Sequence, residues 1–240
     1  MKIQDHLDIL WKTSERIKFD PLVKLLFISD THWGRGKDDK ADDFYNRSPI
    51  LYALLSWADR NGYALIILGD WLELYENDKK DEILVAYPAL WELIQKFRIE
   101  KHLWIVEGNH DKGLGYPETY VLLLNGEEYF LVHGHQVDFW NSGIMWYVSK
   151  WFVRHIWRGL QYIGLHDPTA SDEKRHALSE KLLTEWAETN KIKTISGHTH
   201  RPCMEGYYLN DGAFVGNSYA YILYDKQNGM VLSVDKIPSS

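Results

Sequence analysis

The sequence predicts an α/β fold built on a parallel sheet, and three observations predict it. Val23–Ser29, Ala64–Leu68 and His102–Val106 are short, almost wholly apolar runs of strand length. Stretches with helical spacing separate them, and each run stops abruptly at polar residues. Strands that alternate with helices in this way indicate βαβ units, whose functional groups gather beyond the carboxyl ends of the strands.

Residues 3–18 carry apolar side chains at Ile3, Leu7, Leu10, Trp11 and Ile17, the spacing of one helix that ends before Asp20-Pro21. The first strand then runs to Asp30, and a polar loop, Gly34 to Asn46, follows it. Ser48-Pro49 caps a helix reaching about Arg60, since proline suits a first helical turn. The second strand ends at Gly69-Asp70, and a helix covers about Asp81 to Phe97. The third strand ends at Glu107-Gly108-Asn109-His110-Asp111. Tyr120–Leu124 and Tyr129–Val132 flank Asn125-Gly126, the commonest two-residue hairpin signal, and His133 closes the second arm. A helical block of roughly fifty residues comes next. A strand Thr194–Ser196 then leads into Gly197-His198-Thr199-His200, and short strands alternate around Asp211-Gly212 and Asn228-Gly229. No repeat or linker divides the chain, so 1–240 reads as a single domain with a helical insertion at about 138–191.

Composition narrows the function. Hydrophobic residues make up 45% and charged residues 25%, which predicts a packed core. The net charge of −7 leaves no general basic face, so no nucleic-acid polymer is expected as a partner. Cys203 is the single cysteine, which excludes an internal disulfide and fits a reducing compartment. The first residues lack the apolar core of a signal peptide, and no apolar run is long enough to span a membrane. The expected location is cytoplasmic, with peripheral membrane contact as the alternative.

The strand ends carry Asp30-Thr31-His32, Gly69-Asp70, Asn109-His110-Asp111, His133 and His198-Thr199-His200. Carboxylate, imidazole and amide oxygen together suit borderline divalent ions such as Mn(II), Fe(II) or Zn(II). The absence of thiolate argues against a structural zinc site. Two ions need about eight ligand bonds, which seven side chains provide if one carboxylate bridges. Asp70, on the middle strand, is the natural bridge. Any one of these motifs alone is an ordinary strand-end turn; their order and placement together point to metal. His135 competes with His133, which is preferred because it directly ends the strand.

In this order, Asp-x-His, Gly-Asp, Gly-Asn-His-Asp, a strand-terminal His and Gly-His-x-His resemble the calcineurin-like metallophosphoesterase superfamily, from about Leu25 to Val234. The resemblance implies a four-layer αββα sandwich of two mixed sheets flanked by helices, with the helical insertion as a cap. It implies two divalent metal ions, Mn(II) first, with Fe or Zn as alternatives. One ion would take Asp30, His32, Asp70 and His200, and the other Asp70, Asn109, His133 and His198. Two such ions about 3.5–4 Å apart lower the pKa of a shared water for in-line attack on phosphorus. His110 would protonate the leaving oxygen or stabilise the transition state, with Asp111 orienting it. Asp111 is equally suited to capping the turn.

Gly69-Asp70-Trp71-Leu72-Glu73 lacks the Asp-Arg-Gly of serine/threonine phosphatases. Gly-Asp-x-x-Glu, Gly197–Pro202 and Tyr208–Gly212 instead look like the branch containing UDP-2,3-diacylglucosamine pyrophosphohydrolases. His110 departs from the arginine of that branch, and Gln136–Trp140 departs from its Cys-Thr-Asp-Asp run. A lipid-linked nucleotide is therefore the expected substrate. A cyclic or small nucleotide, another phosphorylated small molecule, or a fold that has lost its chemistry are the alternatives. Trp140–Ile163 holds four of the eleven tryptophans, with Lys150, Arg154, His155 and Arg158 interspersed. Residues 140–163 read either as an apolar cap whose basic residues meet phosphates or anionic headgroups, or as core or a homo-oligomer interface.

Overall fold

The computed structural model describes residues 3–138, 143–157, 173–215 and 218–236. The first half runs α1 (Ile3–Thr13), β1 (Glu15–Lys18), β2 (Lys24–Ile28), α2 (Ser48–Arg60), β3 (Tyr63–Ile67), α3 (Lys80–Ala86), α4 (Pro88–Ile99) and β4 (Leu103–Ile105). The second half runs β5 (Thr119–Leu124), β6 (Glu127–Val132), α5 (Gly143–Phe152), a π-helical turn (Val153–Trp157), α6 (Glu173–Asn190), β7 (Lys193–Ser196), β8 (Cys203–Glu205), β9 (Tyr208–Asn210), β10 (Ser218–Asp225) and β11 (Gly229–Lys236).

The three apolar runs become neighbouring parallel strands, β2, β3 and β4. The antiparallel β10 and β11 complete a five-stranded mixed sheet in the order β11-β10-β2-β3-β4. The second sheet, β1-β5-β6-β7-β9-β8, is also mixed, with β6 and β7 parallel. Alternate residues of each strand point to opposite faces, which divides the apolar residues into three layers of core. Leu25, Phe27 and Ile66 meet Leu122, Leu131 and Ile195 between the sheets. Leu26, Leu65 and Ile67 point the other way, against Leu51 and Leu55 of α2 and Ile94 of α4. Val121, Phe130 and Val132 pack under Leu7 and Leu10 of α1 and Leu183 and Trp186 of α6. The result is the four-layer αββα sandwich that the resemblance implied. Leu122→Ala, deep between the sheets, is expected to destabilise the protein by about 2–5 kcal/mol in a denaturant titration.

Three local readings need correction. Residues 3–18 are not one helix: α1 stops at Thr13, and Glu15–Lys18 forms a strand parallel to β5. Ser14 makes the break, its hydroxyl within 2.6 Å of both Leu10 O and Thr119 Oγ1. Ser48 lies inside α2 and bonds Tyr45 O; the N-cap position is Arg47, with no side-chain cap. The helix expected over 81–97 is two helices, because Pro88 forces Tyr87 out of helical geometry (φ −127°, ψ 59°). The Asn125-Gly126 hairpin has φ of 52° and 83° at its two turn residues, as a type I′ turn requires.

Candidate metal centre

Just past the strand ends the chain turns sharply, and five of the expected ligands do the turning. Asp30 (φ 51°), His32 (φ 46°), Asp70 (φ 53°), His198 (φ 67°) and His200 (φ 56°) have left-handed backbones. Asp and His adopt this region more readily than most side chains, yet they are still strained there. A zipper that continues the β2–β3 pairing holds the strain. Asp30 N–H donates to Gly69 O (3.2 Å), His32 N–H to Asp70 O (3.0 Å) and Trp33 N–H to Trp71 O (2.9 Å). Close approach requires glycine: a Cβ on Gly108 would stand 2.3 Å from Asp70 N, and one on Gly197 2.3 Å from Ser29 Oγ.

The expected ligands gather in two groups, and His32, Glu73 and His110 form a third with the same spacing. Asp30, His32 and His200 bring donor atoms within 4.8 Å of one another, as do Asp70, His133 and His198. His200 Nε2 lies 3.2 Å from Asp30 Oδ1, and His133 Nε2 lies 3.1 Å from Asp70 Oδ2. Asn109 is buried in the next loop, where the N–H of His110 donates to Asp70 Oδ1 (2.7 Å). Second partners set which atom each side chain presents. His133 donates Nδ1–H to Leu68 O (2.6 Å), which turns Nε2 toward the Asp70 carboxylate. Asn109 points its NH₂ at Tyr75 OH (3.5 Å), which leaves Oδ1 free. Asn109 Oδ1 and His32 Nε2 are buried without a hydrogen-bond partner. Buried polar atoms are rarely left so, and a divalent cation is the partner that suits imidazole, amide oxygen and carboxylate together. The residues present therefore fit a metal centre.

Opposed charges polarise the site. Burial works to raise the pKa of Asp70, but His133 and His110 outweigh it and hold the carboxyl well below the usual range. His133 shows the converse: burial disfavours its charge, yet Asp70 and Asp30 lift its pKa to about 9. His198 goes down to about 4, chiefly through burial. His135 also falls well below its ordinary value, through burial and the neighbouring His133. Its ring centroid stands 5.5 Å from that of His133, outside all three of the three-residue groups.

His110 is positioned by Glu73, to which the sequence alone assigned no role. Its Nδ1 lies 2.7 Å from Glu73 Oε2, and its ring stacks on Tyr75 at 4.1 Å. The same Oε2 lies 3.0 Å from Nδ1 of His32, so one carboxylate orients an expected metal ligand and the expected proton donor. Burial opposes the Glu73 charge, but His110 and His32 hold its pKa far below the usual range. Asp111 does not reach the His110 ring. Its carboxylate accepts the N–H groups of Gly108 (2.7 Å) and Trp71 (2.9 Å), which joins two metal loops. Burial and then Asp70 raise its pKa to about 7. Of the two readings of Asp111, the geometry matches the turn cap.

The stretch after β6 also reaches the site. Asp138 Oδ2 lies 3.3 Å from His198 Nε2. Trp146 is buried and donates Nε1–H to Asn109 O (2.7 Å). Arg154 is not free to meet phosphates or headgroups. Its guanidinium donates to the carbonyls of Leu74 (2.9 Å), Tyr75 (3.1 Å) and Asn77 (3.1 Å). His176 of α6 donates Nδ1–H to Thr199 O (2.7 Å), between the two left-handed histidines. The outer face of α5 and the following turn is exposed and apolar: Tyr147, Val148, Trp151, Phe152 and Ile156. Trp140, Arg158 and Ile163, and the side chain of Trp157, lie outside the described residues. None of these contacts has a signal in the local sequence, because each joins positions 23–80 residues apart.

The calcineurin-like phosphoesterase family profile matches residues 23–202. A UDP-2,3-diacylglucosamine hydrolase of Shewanella loihica is 26% identical over 217 residues, covering 74% of this chain and 81% of that protein. Among solved structures, a conserved uncharacterized protein of Streptococcus pneumoniae, a predicted phosphoesterase, is 18% identical. It covers 90% of this chain and 100% of that one, with a TM-score of 0.40. Vps29 of Entamoeba histolytica complexed with zinc is 16% identical, covering 90% of this chain and 98% of that one, with a TM-score of 0.41. With most of its length matched and the loops of its two sheets converging on one ligand cluster, this chain belongs to the calcineurin-like phosphoesterase family and is a metal-dependent phosphoesterase.

Proposed function

We propose that the chain hydrolyses a phosphoester or pyrophosphate bond in a lipid-linked nucleotide such as UDP-2,3-diacylglucosamine or a similar molecule. The observation that carries the chemistry is the adjacency of two ligand groups to a histidine already braced by Glu73. Asp30, His32, Asp70 and His200 would hold one divalent ion, and Asp70, Asn109, His133 and His198 a second, with Mn(II) favoured over Mg(II) by the imidazoles. When bound, such ions supply an activated water and neutralise the oxygens that gain charge. The chain's own part begins with His110. Glu73 accepts its Nδ1–H, so in the imidazolium form the second proton sits on Nε2, the atom placed to pass it to the leaving oxygen. Asp111 and the β2–β3 zipper keep the loops in register as charge shifts.

The substrate class rests on the S. loihica relative and on α5. We read residues 138–191 as a cap inserted into one catalytic domain. Its α5 and the turn after it are fastened inward by Trp146 and Arg154, and their exposed apolar face is free to take acyl chains or to lie on a membrane surface. No helix among the described residues is long and apolar enough to cross a membrane. Each acyl CH₂ buried there contributes about 0.8 kcal/mol, so a few methylenes outweigh modest polar contacts. With manganese present, turnover of UDP-2,3-diacylglucosamine is expected to exceed that of its deacylated counterpart by about 10-fold or more. Trp151→Glu should narrow that gap without moving the melting temperature. Equal rates on the two substrates, or a preference for cyclic nucleotides in the same screen, would overturn the lipid reading. Loss of folding in Trp151→Glu would favour a packed or self-associating helix instead.

A further inference from the structure

We propose that Lys112 and Lys150, each lodged against the indole of Trp146, bind a second phosphate of the substrate, the one not presented to the metal-ligand groups. This deepens the reading above and rests on its phosphoester chemistry. The class of ligand it selects is the diphosphate, with phosphoryl groups on both sides of a P–O–P linkage.

Lys112 lies two residues after His110 in the loop beyond β4, and Lys150 lies one turn after Trp146 on α5. Their ammonium nitrogens stand 5.5 Å and 4.7 Å from the centroid of the same ring. That ring is buried and its N–H is bonded to the carbonyl of Asn109, so both cations are held beside the metal loop. Both lysines are half-buried, and among the described residues neither forms an ion pair. The carboxylates of the site are engaged elsewhere: Glu73 with His32 and His110, and Asp138 with His198. Burial, and then the neighbouring Arg154, push the Lys150 ammonium below its ordinary pKa, while Glu73 draws it up. Lys112 is near enough to His135 to add to that residue's depression.

Contact with a neutral ring attracts each ammonium group and neutralises neither charge. A doubly charged phosphoryl group supplies the anion that both lack, and charge-assisted hydrogen bonds of this kind are strong. Lysine, a compact charge on a flexible stem, follows a phosphate whose position varies with the rest of the substrate.

UDP and UMP, tested as competitive inhibitors of p-nitrophenyl phosphate hydrolysis by the full-length, manganese-loaded protein, separate the second phosphate from everything else. Wild type should bind UDP more tightly than UMP. Lys112→Ala/Lys150→Ala should weaken UDP by about 10-fold or more and UMP by less than about 2-fold, while Lys112→Arg/Lys150→Arg restores the preference. Lys112→Gln/Lys150→Gln repeats the test with the stems over the ring retained, should the alanine pair fold poorly. Equal weakening of both nucleotides, or no UDP preference in wild type, overturns the site. Failure to hydrolyse UDP-2,3-diacylglucosamine while the lysine-dependent UDP preference persists would sink the substrate reading alone.

Discussion

Asp70→Ala is expected to lower phosphoester hydrolysis by at least about 10³-fold and to cut bound divalent metal from two ions per chain to one. The expectation follows from how much converges on this carboxylate. It is buried, its Oδ2 lies 3.1 Å from His133, and its Oδ1 accepts the N–H of His110. Its own carbonyl accepts the N–H of His32, a member of the other group. Removing it strips one group of its only carboxylate and loosens the loop that places His110. Asp70→Asn separates the two effects, since the amide oxygen can still receive the His110 N–H while the negative charge is gone. Both variants should lose metal on elemental analysis after gel filtration, and Asp70→Asn should do so with a nearly native melt in chelator. Two ions retained by either variant would refute the bridging assignment.

His110→Ala should keep its metals yet turn over about 10²–10⁴-fold more slowly, the range for a positioned proton donor. The deficit should shrink when the leaving group is p-nitrophenolate, which departs without a proton. Glu73→Ala should match or exceed it, because Glu73 orients His32 as well as His110. The double variant should then be little worse than Glu73→Ala, since residues acting as one unit are not additive. Multiplicative losses would mean that His110 and Glu73 act independently. An equal deficit on both leaving groups would make His110 an electrostatic stabiliser of the phosphoryl oxygens.

What the sequence made legible was whatever is written locally. Apolar runs of strand length identified β2, β3 and β4, Asn125-Gly126 identified the hairpin, and strand-terminal polar residues nominated the side chains that now stand in two groups. β1 was missed because Arg16-Ile17-Lys18 has no strand pattern of its own; it exists through pairing with β5, more than a hundred residues away. The break at Tyr87-Pro88 was readable from the proline rule and was passed over because the apolar spacing continues on both sides. Glu73 was visible as the end of Gly-Asp-x-x-Glu, but its task depends on two imidazoles arriving from other strands. Asp111 adjoins His110 in sequence yet faces the opposite way, toward the N–H groups of Gly108 and Trp71.

The left-handed backbones at Asp30, His32, Asp70, His198 and His200 bear on how such a centre can change over time. At those positions an incoming residue must first tolerate the turn and only then supply a donor atom. Valine, isoleucine and threonine are screened out by sterics whatever their chemistry, while glycine and asparagine enter easily. A lineage drifting away from catalysis would therefore tend to keep the shape of its loops after losing the atoms that grip metal. Regaining activity from that state would take a few side-chain replacements on a scaffold that never had to refold.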